Sequence, residues 1–276
     1  MSRHIQEHLS GADPVLARVI EAIGAYAPEA REEIHPFQAL AHAIAHQQLN
    51  GIAANTILRR LCAACEEGPF PSPQWVLAAP VAQLRGAGFS FAKIAALKDL
   101  AAKTLADVVP GHEVLAQLTD EQIITRLTQV RGIGRWTVEM LLMFRLGRPD
   151  VLPVDDFGVR AGFRAAYGLR VLPHPQALAQ YGERWKPHRT AAAWYLWRAL
   201  ELHRAGTLPA PVQRIRLPRV KKLRRRLKRT SAPKKKAPKQ TLKKKNTPAR
   251  RPARVAARRR TRRPVLRTSR APRARK

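Results

Sequence analysis

Apolar residues recur every three or four positions through most of the first 206 residues, and no segment alternates strictly between apolar and polar over the length of a strand. This spacing places apolar side chains along one face of a helix. The pattern predicts nine helices, near residues 14–27, 36–48, 52–66, 91–107, 120–129, 135–146, 156–167, 175–184 and 188–204. The expected fold class is therefore all-α.

The helical pattern stops near residue 206, where Pro, Lys and Arg replace the apolar positions. The net charge of +33 comes mainly from residues 211–276, which hold 30 of the 52 Lys and Arg and no Asp or Glu. A segment this poor in apolar side chains cannot offset the entropy of ordering its backbone. We therefore predict a helical domain at 1–206 and a disordered basic tail at 207–276.

Several classes of protein are excluded by what the sequence lacks. No stretch is apolar over the roughly 18 residues that a membrane span needs, and the opening residues, MSRHIQEH, lack the hydrophobic segment of a signal peptide. The two cysteines, Cys62 and Cys65, are half of a zinc site at most and allow no disulfide framework, so we interpret them as packed helix residues. We expect a protein that stays in the cytoplasm.

Two glycines, Gly132 and Gly134, separate two predicted helices in the segment QVRGIGRWTVEMLLMF. They flank Ile133 and allow positive φ values and a close backbone approach in a tight helical hairpin. The free amides at the start of the second helix, from Arg135 onward, and the positive end of its dipole then form a place for a phosphate. By itself the turn fits an ordinary helical hairpin equally well.

Two adjacent carboxylates, Asp155 and Asp156, lie where the Gly/Pro-containing loop LGRPDVLP leads into the helix that begins FGVRAGF. An Asp at such a position is a normal N-cap. Because one carboxylate is enough for capping, the other is free to face a cleft.

These segments resemble a known family. LTQVRGIGRWTVEMLL followed by GRPDVLPVDDFGVRAGF resembles the helix-hairpin-helix, Gly/Pro-rich loop and Asp signature (HhH-GPD) of the base-excision DNA glycosylases. The chain is most similar to the 3-methyladenine DNA glycosylase II branch, since FQALAHAIAHQQLN, GFSFAKIAALKDLA and ERWKPHRTAAAWYLW match its landmarks in order. The resemblance covers about residues 30–204 and implies a two-lobed helical fold. The bacterial archetype has an additional N-terminal β-domain, for which this chain has no room.

The resemblance implies a monofunctional glycosylase that flips alkylated purines, such as 3-methyladenine, out of duplex DNA and hydrolyses their bond to the sugar. It assigns the catalytic role to Asp156, with Asp155 as a structural or capping partner. A carboxylate near C1′ stabilises an oxocarbenium-like transition state. A second acid matters little, because the alkylated base departs uncharged.

Residue-by-residue matching to the family places Gln48 at the position that fills the space left by the flipped base, with Gln47 and Leu49 beside it. We call residues 47–49 the wedge segment. Without the resemblance, two glutamines at the end of a helix are ordinary surface residues.

The resemblance also implies an aromatic base pocket. Trp197 matches the family's pocket tryptophan, and Trp136 is the second candidate; a cationic purine over such a ring gains about 0.5–2 kcal/mol. The family has a tyrosine one helical turn after Trp136, where this chain has Met140. The substrate range therefore stays open.

By resemblance, residues 132–135 contact a DNA phosphate, and a monovalent cation, Na⁺ or K⁺, binds the backbone carbonyls of Thr128, Val130 and Ile133. Oxygen donors suit a hard cation. No other cofactor is required, and an iron–sulfur cluster is excluded because two cysteines cannot supply four thiolates. Trp136 replaces the nucleophilic lysine of the glycosylases that also cut the backbone, so we expect no lyase activity.

The expected partner is double-stranded DNA that contains alkylated bases, bound by a monomer, with the basic tail adding non-specific affinity. One alternative is a non-enzymatic DNA-binding or compaction protein, because the tail resembles segments of linker histones. Another is a glycosylase for deaminated or oxidised bases.

Overall fold

The computed structural model describes residues 2–28, 34–65, 68–213 and 215–217. Within these ranges the chain forms helices joined by turns and contains no strand, which confirms the all-α prediction. The helices are α1 (Ser2–Ala12), α2 (Pro14–Ile23), α3 (Pro36–His46), α4 (Gly51–Ala63), α5 (Pro73–Ala78), α6 (Val81–Ala87), α7 (Phe91–Leu105), α8 (His112–Gln117), α9 (Asp120–Leu127), α10 (Arg135–Phe144), α11 (Phe157–Ala166), α12 (Pro175–Gly182) and α13 (Arg189–Ala205). A 3₁₀ turn at Glu183–Trp185 follows α12.

The nine predicted helices are all present, whereas α1, α5, α6 and α8 were not predicted. The last three have six or seven residues each. An apolar repeat cannot be recognised over so few turns. Helix α1 is longer, but Ile5 and Leu9 are its only large apolar residues, too few for a repeat to be recognised.

The helices form two groups, and the second group combines the two ends of the described chain. Helices α3, α5 and α6 pack against α7, whose Leu97 and Leu100 are fully buried. Helices α4 and α10 join this group through α3, and α9 joins it through α10. Helices α1, α2 and α11 to α13 form the other group, in which α11 and α13 make the closest pair. This arrangement confirms the two-lobed architecture that the resemblance implied.

A buried carboxylate, Asp13, ties the N-terminal helices to the C-terminal ones. Its Oδ1 caps α2 by accepting the amides of Val15 and Leu16, at 3.1 and 3.2 Å. Its Oδ2 accepts the hydroxyl of Tyr167 at 2.6 Å and the indole N–H of Trp185 at 3.0 Å. Four donors compensate the desolvation of a fully buried charge. Burial and the neighbouring Asp13 raise the pKa of Tyr167 well above its ordinary value.

The predicted division into domains at residue 206 stays a prediction; the last helix, α13, ends at Ala205. Among the described residues after α13, Leu208, Ile215 and Leu217 are partly buried and pack against the core. Most of the predicted tail, residues 218–276, lies outside the described residues. In the part of the chain that is described, no helix is long and apolar enough to cross a membrane.

Candidate active site

A cleft of about 700 Å³ opens where the two groups of helices meet. Helix α3 and the wedge segment form one side, α10 forms a second and α13 forms the third. The candidates from the sequence that line the cleft are Gln47, Gln48, Trp136, Met140 and Trp197. Residues far apart in the chain are thus brought to one site by the packing of the two lobes.

Asp156 lies beside the cleft and is held there by three donors. As the N-cap of α11, its Oδ1 accepts the backbone amide of Val159 at 2.7 Å. The same oxygen accepts the indole N–H of Trp197 at 2.8 Å. Its Oδ2 accepts the indole N–H of Trp136 at 2.9 Å. The carboxylate therefore has a fixed orientation at the junction of α10, α11 and α13.

The N-cap of α11 is Asp156, so of the two roles that we offered for Asp155, structural or capping, the capping role is wrong. We had divided capping and facing the cleft between two residues, but one carboxylate has two oxygens with several acceptor sites and can do both. Asp156 uses Oδ1 for the cap and still turns Oδ2 toward the cleft tryptophan Trp136. Asp155 is exposed, and its charge acts on the nearby Glu139.

The cleft has an aromatic wall that the sequence revealed only in part. Trp136 is 49% exposed, and Trp197 is half-buried and stacks on Phe144 with ring centroids 5.7 Å apart. Phe144 was not predicted, although the signal was available. Trp136, Met140 and Phe144 follow each other at four-residue intervals, so they share one face of α10.

A cluster of charges surrounds the start of α10. The guanidinium of Arg135 donates to Glu139 at 3.0 Å and to Glu121 at 3.1 Å. Glu139 is only 5% exposed, and burial raises its pKa to about 7, with Arg135 opposing the shift and Asp155 adding to it. Arg135 is one of the residues that we predicted to bind phosphate, and its side chain is thus already paired with two carboxylates.

Replacing Glu139 by Gln should flatten the pH dependence of stability. Because the folded-state pKa of about 7 exceeds the ordinary value of 4.5, the folded protein binds the proton more tightly than the unfolded chain. The contribution of Glu139 to stability is therefore fully present below pH 4.5 and is lost as the pH rises through about 7, by about 1–3 kcal/mol. Urea unfolding of both proteins from pH 4.5 to 8 measures this loss.

The matched control is Glu121→Gln, since Glu121 pairs with the same arginine but is exposed and its pKa is lowered. That variant should not remove the loss of stability between pH 4.5 and 7. Parallel stability curves for the wild type and Glu139→Gln would contradict the assignment.

The predicted helical hairpin is present between α9 and α10. Gly132 has a φ of +79°, as predicted, whereas Gly134 has a φ of −100° and is the extended N-cap of α10. Gly134 thus does not need positive φ. Because glycine has no side chain that could cap the helix, the first backbone amides of α10 have no side-chain acceptor from their N-cap residue. The intervening Ile133 is buried and fixes the turn to the core.

The carbonyls proposed for a monovalent cation belong to the same turn. The Val130 carbonyl accepts the amide of Ile133 at 3.0 Å, and the Thr128 hydroxyl donates to the carbonyl of Ile124 at 2.7 Å. The cation site stays a prediction. Among the described residues, no group of three or more His, Cys, Asp or Glu is arranged to hold a metal ion.

The wedge segment lies at the mouth of the cleft and is joined to the hairpin. The Gln47 amide donates to the carbonyl of Gly132 at 2.8 Å. Gln48 is exposed with a φ of +58°, a left-handed conformation that is uncommon outside glycine. Leu49 is 41% exposed. Gln47 therefore supports the turn, while Gln48 and Leu49 project from the surface.

A second groove, of about 530 Å³, adjoins the wedge segment and includes two basic residues that the sequence did not single out, Arg60 and Lys93. Lys93 donates to the Ala45 carbonyl at 2.8 Å, near the end of α3, and burial lowers its pKa. The two cations give this side of the wedge segment a positive charge.

Comparisons with known proteins agree with this geometry. Residues 41–188 match the family described as HhH-GPD superfamily base excision DNA repair protein, and the chain belongs to that family. DNA-3-methyladenine glycosylase 1 of Schizosaccharomyces pombe is 41% identical over 196 residues, which are 71% of this chain and 86% of the relative.

Two solved structures are similar as well. One is the 3-methyladenine DNA glycosylase of Schizosaccharomyces pombe in complex with abasic DNA, at 41% identity and a TM-score of 0.64, over 71% of this chain and 95% of the other. The other is a DNA-3-methyladenine glycosidase from Bacillus halodurans, at 31% identity and a TM-score of 0.64, over 72% and 90%. The match extends over nearly the whole length of both relatives.

Proposed function

We propose that this protein is a monofunctional DNA glycosylase that removes alkylated purines, such as 3-methyladenine, from duplex DNA. The observation that carries the proposal is the Asp156 carboxylate, fixed by three hydrogen bonds beside an aromatic-walled cleft. The relatives, whose names specify 3-methyladenine, support this substrate class.

The proposed reaction uses one carboxylate. An alkylated purine carries a positive charge, so the C1′–N bond breaks with its electron pair going to the base, which departs neutral. Water then adds its hydroxyl to C1′ and releases a proton, leaving an abasic sugar. The fixed negative charge of Asp156 stabilises the oxocarbenium-like sugar between these events.

The target base must first leave the helical stack. This step costs a few kcal/mol, and the cost is lowest where the base is damaged. We assign Gln48 the role of filling the vacated space, since its side chain projects from the surface at the cleft mouth. Gln47 positions it by tying the wedge segment to Gly132. The strained φ of Gln48 is typical of functional positions, where surrounding structure maintains it.

The flipped base would enter the cleft against Trp136, Trp197 and Phe144. A cationic purine beside electron-rich rings gains about 0.5–2 kcal/mol that a neutral purine does not. Met140 lies in the same wall and adapts to irregular shapes because its side chain is flexible. This wall would favour alkylated over normal bases.

The hairpin would bind a DNA phosphate through the open amides that follow Gly134. A side chain added at Gly134 meets no atom within 4 Å, and the backbone there is extended, so substitutions fit without strain. We predict that Gly134→Asp weakens duplex binding by repelling the phosphate, while the isosteric control Gly134→Asn binds much more tightly than the Asp variant. Fluorescence anisotropy with labelled duplex measures both, and equal affinities would exclude the phosphate site.

No lyase step is proposed, because a Schiff base needs an amine and this chain has Trp136 where such glycosylases carry lysine. The enzyme would release the base and leave the DNA backbone intact. It would act as a monomer on DNA, in the compartment that holds the DNA, which is the cytoplasm and its nucleoid if the source is bacterial.

A base-release assay tests the proposal. The protein is incubated with duplexes that contain 3-methyladenine, another alkylpurine, uracil or 8-oxoguanine, and abasic sites are revealed by alkaline cleavage. We expect cleavage only after alkali and only for the alkylated duplexes. Release of uracil or 8-oxoguanine would indicate a different lesion, strand cutting without alkali would indicate a lyase, and no release at all would favour a DNA-compaction protein.

A further inference from the structure

Two glycines one helical turn apart, Gly158 and Gly162, form the face of α11 that packs against α13. A Cβ at Gly162 would lie 1.8 Å from the Leu196 carbonyl oxygen. A Cβ at Gly158 would lie 2.7 Å from Cδ1 and 2.8 Å from Nε1 of Trp197. That same indole nitrogen donates to Asp156 at 2.8 Å.

We propose that Gly158 is a positioning residue for Asp156: its missing side chain leaves the space in which the Trp197 indole reaches the carboxylate. Gly162 allows the backbone of α13 to lie close to α11, and Gly158 leaves room for the Trp197 ring. This inference rests on the proposed function, in which Asp156 is the carboxylate that faces the sugar.

The backbone does not explain a glycine at this position. Gly158 lies within the first turn of α11, and its φ is not positive. Alanine is the better residue for a helix, so glycine is unfavourable there on propensity alone. The space occupied by Trp197 is therefore the physical reason for a residue without a side chain.

An added methyl group would displace the indole. The contacts of 2.7 and 2.8 Å would have to open to an ordinary separation of about 3.5–4.0 Å. The indole can move, since on the cleft side it stacks on Phe144, which is itself 41% exposed. Such a displacement breaks the hydrogen bond to Asp156, leaving the carboxylate with Val159 and Trp136 as donors.

The test compares Gly158→Ala with Gly11→Ala. Gly11 is an exposed glycine in α1 with no atom within 4 Å of an added Cβ, so it controls for the change in helix propensity. We expect Gly158→Ala to lower the single-turnover rate of 3-methyladenine release by about 10- to 100-fold. Affinity for the lesion duplex and circular dichroism should be unchanged. The Gly11 variant should have the wild-type rate.

A double-mutant cycle with Trp197→Ala separates positioning through Trp197 from general damage. Alanine removes the N–H donor and both ring atoms that meet the added methyl group, and leaves only the direct approach of that methyl group to Oδ1 of Asp156, at 3.1 Å. If Gly158 acts through Trp197, Gly158→Ala should cost little more in the Trp197→Ala background. Additive losses, or a wild-type rate for Gly158→Ala alone, would overturn the proposal.

A spectroscopic readout does not depend on activity. The chain has five tryptophans, and the indole N–H signal of Trp197 can be assigned in ¹⁵N NMR spectra by its absence from Trp197→Phe. Loss of the hydrogen bond should move this signal upfield in Gly158→Ala and not in Gly11→Ala. An unmoved signal would refute the role of Gly158, whether or not the wild type releases base. Absence of base release from the wild type would refute the proposed function instead.

Discussion

Asp156→Asn is expected to slow base release by roughly 10²- to 10³-fold while the protein still binds lesion-containing DNA. The amide keeps the shape of the carboxylate and is itself a good N-cap, so its oxygen can still accept the Val159 amide. It removes the negative charge, and its NH₂ group cannot accept the Trp136 indole N–H. Loss of one electrostatic stabiliser of this kind costs about 3–4 kcal/mol, or roughly a 10²- to 10³-fold lower rate.

The measurement is single-turnover release of 3-methyladenine with enzyme in excess, together with the dissociation constant for the same duplex. The matched control is Asp155→Asn, which removes the adjacent charge from an exposed position. It should retain most of the wild-type rate. If Asp155→Asn is inactive and Asp156→Asn is active, the catalytic assignment is reversed.

Truncation after residue 217 is expected to weaken binding to undamaged duplex and to make it less sensitive to salt. The cut keeps Ile215 and Leu217, which pack on the core, and removes residues 218–276, which contain 28 Lys and Arg and no acid. Each phosphate neutralised steepens the plot of log affinity against log salt by about 0.9. Contacts with about six to ten phosphates would change affinity by roughly 10³- to 10⁵-fold between 50 and 200 mM salt.

The base-excision step should not need these residues, because every proposed catalytic group lies in the helical domain. Single-turnover release at saturating enzyme should therefore match the full-length protein. A full-length variant with the 28 basic residues replaced by Gln controls for chain length and should behave like the truncation. An unchanged salt slope, or loss of excision from a folded truncation, would contradict the role assigned to the tail.

The sequence by itself was sufficient to predict the fold class and those candidate site residues that lie close together in the chain. A three- and four-residue apolar repeat reports which face of a helix is buried, and this property is local. The hairpin at Gly132 is local too, since the turn needs a residue that adopts positive φ. The resemblance added the roles of Asp156 and the wedge segment, which pattern and propensity do not contain.

Tertiary structure decided how the candidate groups meet. Asp156 and Trp197 are 41 positions apart, and their hydrogen bond exists because α11 and α13 pack through two glycines. The N-cap of α11, by contrast, is a local contact, since Asp156 accepts the amide of Val159 three residues later. The raised pKa of Glu139 also depends on burial, which arises from folding. Spacing along a helix fixes which side chains share a face, but only the packing of helices against one another sets distances between residues remote in sequence.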